Sequence, residues 1–101
     1  MMKGNQVQVR QMEKLFTDQA EDIMKQMYES FESENWREMG LLAHKIKASI
    51  DMLQINTLKQ PIRLLENIEK RKLDKETILE TFDLVKVTLQ KVCFSIKNSH
   101  I

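Results

Sequence analysis

The stretch NWREMGLLAHKIKASIDML, residues 35–53, decides the fold. It opens on Asn35 with Glu38 three residues later, a pairing in which each side chain can accept from the other residue's backbone N–H at a free helix start. From there Trp36, Met39, Ala43, Ile46, Ile50 and Leu53 recur at steps of three and four. That spacing lines up side chains along one side of an α-helix. The segment therefore reads as a helix over 35–54 whose apolar seam must be covered by other helices. Trp36 reads as the first anchor of that seam, with its indole N–H near the wet rim. A second side is left over, where Gly40, His44, Lys47, Ala48 and Asp51 fall together beside the seam and face outward.

The same periodicity extends in both directions. Upstream, Val9, Met12, Phe16, Ala20, Ile23, Met27 and Phe31 form one stripe, and Asn5 with Gln8 three residues on can cap its start, giving a helix over 5–33. Met12, Met24 and Met27 read as core fillers at that spacing. Downstream, Leu58, Ile62, Leu65 and Ile68 or Glu69 mark the inner side of a helix over 56–72, with Lys70, Arg71 and Lys72 complementing its negative C-terminal end. Pro61 lies about one turn in and predicts a kink or a late start, because it lacks an N–H and clashes with the preceding turn. Asp74 can cap a last helix over 74–98, with a seam of Ile78, Phe82, Val85, Leu89, Val92 and Ile96. Four amphipathic helices on short connections predict an all-α, antiparallel up-down four-helix bundle, since adjacent helices alone can cover each stripe. No linker, repeat or low-complexity tract divides the 101 residues, so one domain over 1–101 is expected.

Composition narrows the function. Lys plus Arg number 16 and Asp plus Glu 15, so no whole-protein field draws in nucleic acid or an anionic membrane. The one cysteine, Cys93, has no internal disulfide partner and sits between Val92 and Phe94, which suits a packed thiol in a reducing setting. No apolar run approaches the roughly 18 residues that cross a bilayer, and residues 1–9 are too polar for a secretory signal. A soluble cytoplasmic protein is expected.

His44 is the candidate for chemistry, although an isolated histidine on a helix surface is by itself ordinary. Gly40 lies one turn before it and Ala48 one turn after, so the neighbours that would shield the imidazole have almost no side chain. Glycine inside a helix costs about 1 kcal/mol relative to alanine. A cost with no packing reason predicts that another molecule's backbone approaches there. Lys47 can bring an ammonium near an anion on the ring, and Leu41 offers apolar contact at the rim. Metal binding is disfavoured, because only His44 and the near-terminal His100 exist and no Cys or carboxylate cluster joins them. Ser49 and Asp51 sit on the same helix at offsets that make no Ser-His-Asp relay.

The words Leu42-Ala43-His44-Lys45-Ile46-Lys47-Ala48-Ser49, then Leu53, Leu58 and Leu65-Glu66, resemble the histidine-containing phosphotransfer (HPt) domain family. Its pattern is approximately A-H-x-[LI]-K-G-[SA], a following L-G, and a downstream L-E. The resemblance implies a phosphorelay step, in which His44 takes a phosphoryl group from a receiver-domain aspartate or gives one to it, without kinase activity of its own. It further implies that Lys47 balances phosphoryl charge and that Glu66 stands near the ring to orient it. Gly40, Leu41, Lys45, Ala48 and Asp51 would then meet the receiver, for example one on a hybrid histidine kinase. No cofactor of its own is implied, since Mg²⁺ belongs on the receiver and no Gly-rich phosphate loop occurs for ATP. A lone exposed acceptor needs no dimer, so a monomer is expected.

Two positions depart from the family pattern. Ala48 replaces the usual glycine after the lysine and adds a methyl where a receiver would approach. Gln54 replaces the glycine that closes this helix, so the chain must either lengthen the helix or turn at a residue that tolerates positive φ less well. These departures keep a rival in play: a non-catalytic helical module that docks a receiver or a partner helix without transferring phosphate. A dimerising phosphoacceptor helix pair of a sensor kinase fits less well, because Lys45, Ile46 and Lys47 follow the histidine where that family has an acidic residue, then arginine and proline.

Overall fold

The computed structural model describes the backbone of residues 2–98 and the side chains from Arg10 onward. The Asn5–Gln8 capping pair, the Val9 side chain and His100 lie outside the described residues. Helix α1 spans Met2–Glu32, α2 Trp36–Met52, α3 Lys59–Glu66, α4 Ile68–Arg71 and α5 Lys75–Asn98, with a 3₁₀ turn at Asn56–Leu58 ahead of α3. The described residues are all-helical and contain no strand. They form five α-helices where four were expected, and α1 starts at Met2 rather than Asn5.

The extra helix arises from Asn67. The expected 56–72 helix stops there because Asn67 leaves helical geometry at φ −112° and ψ 25°. Its side-chain Nδ2 donates to the Arg63 carbonyl at 2.8 Å, and its own carbonyl accepts from the Arg71 N–H at 2.9 Å. Asparagine competes with the helix ladder in this way through its short amide. The late start at Pro61 is borne out: it is the third residue of α3, where its missing N–H has no intrahelical partner to lose. Leu58, Ile62, Leu65 and Ile68 are all buried, whereas Glu69 is exposed.

Each corner between long elements closes by the same device. Glu34, Gln54 and Lys72 take left-handed φ of 55°, 56° and 52°. The residue after each donates five positions back, Asn35 to Ser30, Ile55 to Ile50 and Leu73 to Ile68, at 2.8, 3.1 and 3.1 Å. These are Schellman turns built without glycine. Gln54 thus turns the chain where the family pattern has Gly, and α2 ends at Met52 with Leu53 as its cap. At the start of α2 the Asn35 side chain accepts from Glu38 N–H at 3.2 Å. The reciprocal half of that cap is not made, because Asn35 N–H is committed to Ser30. Asp74 caps α5 by accepting from Thr77 N–H at 2.8 Å, and these bonds from Thr77 hold the Asp74 carboxyl below its usual range.

The seams meet as the spacing predicts. Phe16, Ala20, Ile23 and Met27 of α1, Met39, Ala43, Ile46 and Ile50 of α2, and Ile78, Phe82, Val85 and Leu89 of α5 are buried in one core, with Phe31, Trp36, Val92 and Ile96 packed at its edge. Phe31 meets Trp36 edge-on at 5.7 Å while Ser49 donates to Gln19 at 2.8 Å. The order of these contacts runs α1 and α2 in opposite senses. Helices α1 and α3 each pack against both α2 and α5. Three details depart from the expected seams. Met12 is 42% exposed, because α1 is 31 residues long against 17 for α2, and its first turns extend past the neighbour. Leu42 is buried although it lies off the three-four alternation. Cys93 is buried as expected, and burial pushes its thiol up, yet its neighbour Phe94 faces outward.

Candidate functional site

The middle of α2 presents His44 to solvent with its side chain 70% exposed. Leu41, Lys45, Ala48 and Asp51 are exposed on the same helix around it, and Lys47 is half-buried on the flank toward α3. The ring is anchored from that flank. Glu66, the last residue of α3 before the Asn67 break, has a side chain only 19% exposed and pairs its Oε2 with His44 Nδ1. Its other oxygen accepts from Lys47 Nζ at 3.3 Å. A single carboxylate therefore joins the imidazole and the ammonium.

Gly40 makes this geometry possible. A Cβ there would stand 3.2 Å from the Glu66 carbonyl oxygen and 3.5 Å from that of Leu65. The backbone that approaches Gly40 is thus this chain's own α3. That corrects the expectation of another molecule's backbone: the packing reason for the glycine sits downstream at Leu65 and Glu66, where a helix wheel of α2 does not show it.

The electrostatics fix the direction of the hydrogen bond. The bond from His44 is the main cause holding the Glu66 carboxyl below the usual carboxylate range, and Lys47 adds to it while partial burial opposes it. An ionised carboxylate only accepts, so Nδ1 carries the proton and donates. In the neutral ring Nε2 is then left with its lone pair, and no hydrogen bond occupies it among the described residues. An orienting acceptor on one ring nitrogen and an open lone pair on the other is the arrangement of a nucleophilic imidazole.

An open depression of about 530 Å³ lies beside the ring, lined by Trp36, Arg37, Gly40, Leu41, Glu66, Ile68, Glu69 and Lys70 as well as His44. The sequence reading missed Arg37 as a neighbour of this surface, although it lies two turns before His44 on the same face. Ser49 gives its hydroxyl to Gln19, so it forms no relay with the histidine. Among the described residues no group of His, Cys, Asp and Glu could hold a metal ion.

A model of the Hpt domain family matches residues 11–93, a span that holds the histidine, the lysine, the glutamate and most of the core. The chain belongs to the Hpt domain family. Hpt domains are phosphotransfer modules of phosphorelays, work with the receiver domains of two-component systems and are generally not autokinases. No curated protein and no solved structure matches the chain. In this Hpt domain no described helix is long and apolar enough to cross a membrane.

Proposed function

We propose that His44 is the phosphoacceptor of this Hpt domain, taking a phosphoryl group from a receiver-domain aspartate and passing it to another receiver, for example one on a hybrid histidine kinase. The observation that carries this is the open Nε2 of a ring tied at Nδ1 to Glu66. In the step itself the Nε2 lone pair forms the N–P bond as the acyl phosphate P–O bond breaks, and the electron pair leaves on the receiver's aspartate. Nδ1 keeps its proton throughout. The ring gains positive charge as the bond forms, and the Glu66 carboxylate on Nδ1 stabilises it where it develops. Lys47, half-buried at the same carboxylate, supplies a cation for the incoming phosphoryl oxygens. This chain would hold no metal for the step; Mg²⁺ held by the receiver would supply charge neutralisation on that side.

The docking face in this reading is the exposed Leu41, Lys45, Ala48 and Asp51 around His44, with Gly40 at its edge against α3, set on an antiparallel four-helix bundle in which α3 and α4 together serve as the third helix. The chain works as one domain in the cytoplasm. Transfer from a panel of phosphorylated receivers, read as an acid-labile label on this chain, tests the proposal. The parent takes label from at least one receiver and His44→Gln takes none, and ATP alone gives none with either. Labelling of His44→Gln at the parent's rate would overturn His44 as acceptor. A parent that binds receivers without ever taking label would make the protein a docking module instead.

A further inference from the structure

The outer side of α5 carries a feature that phosphotransfer leaves unused. Leu84, Val87 and Phe94 are 52%, 44% and 71% exposed, and steps of three and seven place them on one stripe opposite the buried Val85, Leu89 and Cys93. Single exposed apolar residues are ordinary, but a stripe of them marks a surface that another molecule covers. Charge on this helix is segregated. Apart from Lys75, which pairs with Glu34 of its own chain, the first half carries Glu76, Glu80 and Asp83, whereas residues 84–98 hold Lys86, Lys91 and Lys97 and no carboxylate. Glu76, Glu80, Asp83 and Lys91 form no ion pair among the described residues.

We infer that a second copy of this chain docks along the outer side of α5, with the two α5 helices antiparallel. A parallel pair sets carboxylates against carboxylates and lysines against lysines. The antiparallel pair reverses this: with the two-fold axis between Val85 and Lys86, Leu84 meets Val87 of the second copy and Glu80 meets Lys91 of the second copy. Each contact occurs twice, as a two-fold interface requires. The charge pattern is therefore complementary to itself in one orientation only.

The area sets the strength. α5 has 24 residues and is about 36 Å long. A helix face roughly 10 Å wide then covers about 400 Å² per copy, near half of the ~800 Å² per partner of a standard stable interface. The pair is a dissociating one, whose population rises with concentration. It leaves the acceptor free, because α5 reaches α2 chiefly through α1 and α3. A dimer would then present two His44 faces to receivers at once. This departs from the monomer expected from the sequence.

Sedimentation equilibrium of the full chain at low ionic strength tests the pairing. The parent's average mass rises with concentration from 12.0 kDa toward twice that value. Glu80→Lys alone and Lys91→Glu alone each place two like-charged pairs in their own dimer and weaken it roughly tenfold. Mixed in equal amounts, they regain the parent's association, because both pairs in the mixed dimer are then opposite in sign. Thermal melts matching the parent's show that these exposed variants remain folded. A parent that stays at 12.0 kDa throughout overturns the inference, and so does a mixture that associates no better than either variant alone. The label on His44 is read separately, so the pairing and the phosphotransfer reading stand or fall independently.

Discussion

Replacing Gly40 by alanine sets two opposed effects against each other. In an open helix interior the change would stabilise by about 1 kcal/mol through backbone entropy. Here the new methyl lands 3.2 Å from the Glu66 carbonyl oxygen and 3.5 Å from that of Leu65, so the end of α3 must retreat by a few tenths of an ångström. It has little freedom to do so. Leu65 is fully buried in the core, and the Glu66 side chain is tied to both His44 and Lys47. Overpacking of this kind costs about 1–3 kcal/mol. The net is a loss between about zero and 2 kcal/mol, and at about 4–8 °C per kcal/mol for a domain of this size the melting temperature falls by several degrees. Urea unfolding followed by far-UV circular dichroism measures the stability loss, a thermal melt measures the temperature shift, and label transfer from a receiver reads the effect on the site. The rate should fall severalfold, since the movement of α3 carries Glu66 off the ring. A Gly40→Ala protein that is about 1 kcal/mol more stable than the parent and transfers at full rate would refute the reasoning: α3 would then yield freely, and the glycine would have no packing cause.

Three further outcomes follow from the same geometry. Ile46 is fully buried, so Ile46→Ala should cost about 2–5 kcal/mol in urea unfolding, and a loss below about 0.5 kcal/mol would put the α2 seam out of register. Lys47→Ala should slow transfer while far-UV circular dichroism stays unchanged, and an unaltered rate would remove Lys47 from the mechanism. Glu66 has a folded-state pKa below its ordinary value of 4.5, so the stability it supplies is complete above that pH and is lost as pH falls through the lowered value. Glu66→Gln should therefore flatten the acid limb of the stability profile and slow transfer, because a neutral amide still accepts from Nδ1 but does not balance a charged ring. Coincident acid limbs for parent and variant would show that the carboxylate gains nothing from its two partners.

Much of the bundle was legible because its helices bury one stripe each. The seams of α2 and α5 could be read directly, since both run along neighbours for most of their length, and Asn35 and Asp74 announce the two helix starts. Reading failed where the outcome depended on what lay beside a helix. Met12 continues the α1 stripe perfectly, yet periodicity carries no information on where the neighbouring helix stops. Leu42 is buried because α2 is flanked on more than one side, which widens its apolar face beyond a strict three-four seam. Asn67 broke a helix that its flanking leucines and isoleucines supported. Its competing amide was visible in the sequence, but Asn5, Asn35 and Asn56 carry the same group. At the site, His44 and Lys47 stood out from spacing on one helix, whereas Glu66 came only through the family resemblance. Local spacing has no means of joining residues 22 apart that meet across two helices.

In the proposed reading the acceptor is divided between two pieces of chain, the imidazole on α2 and its carboxylate at the end of α3, which meet where Gly40 lets those helices close. A chain still emerging from the ribosome, or one unzipped between α2 and α3, would expose a histidine of random tautomer with no counter-charge. Such a chain makes a poor thief of phosphate. On that reading the signal is reserved for finished molecules, with folding itself as the gatekeeper.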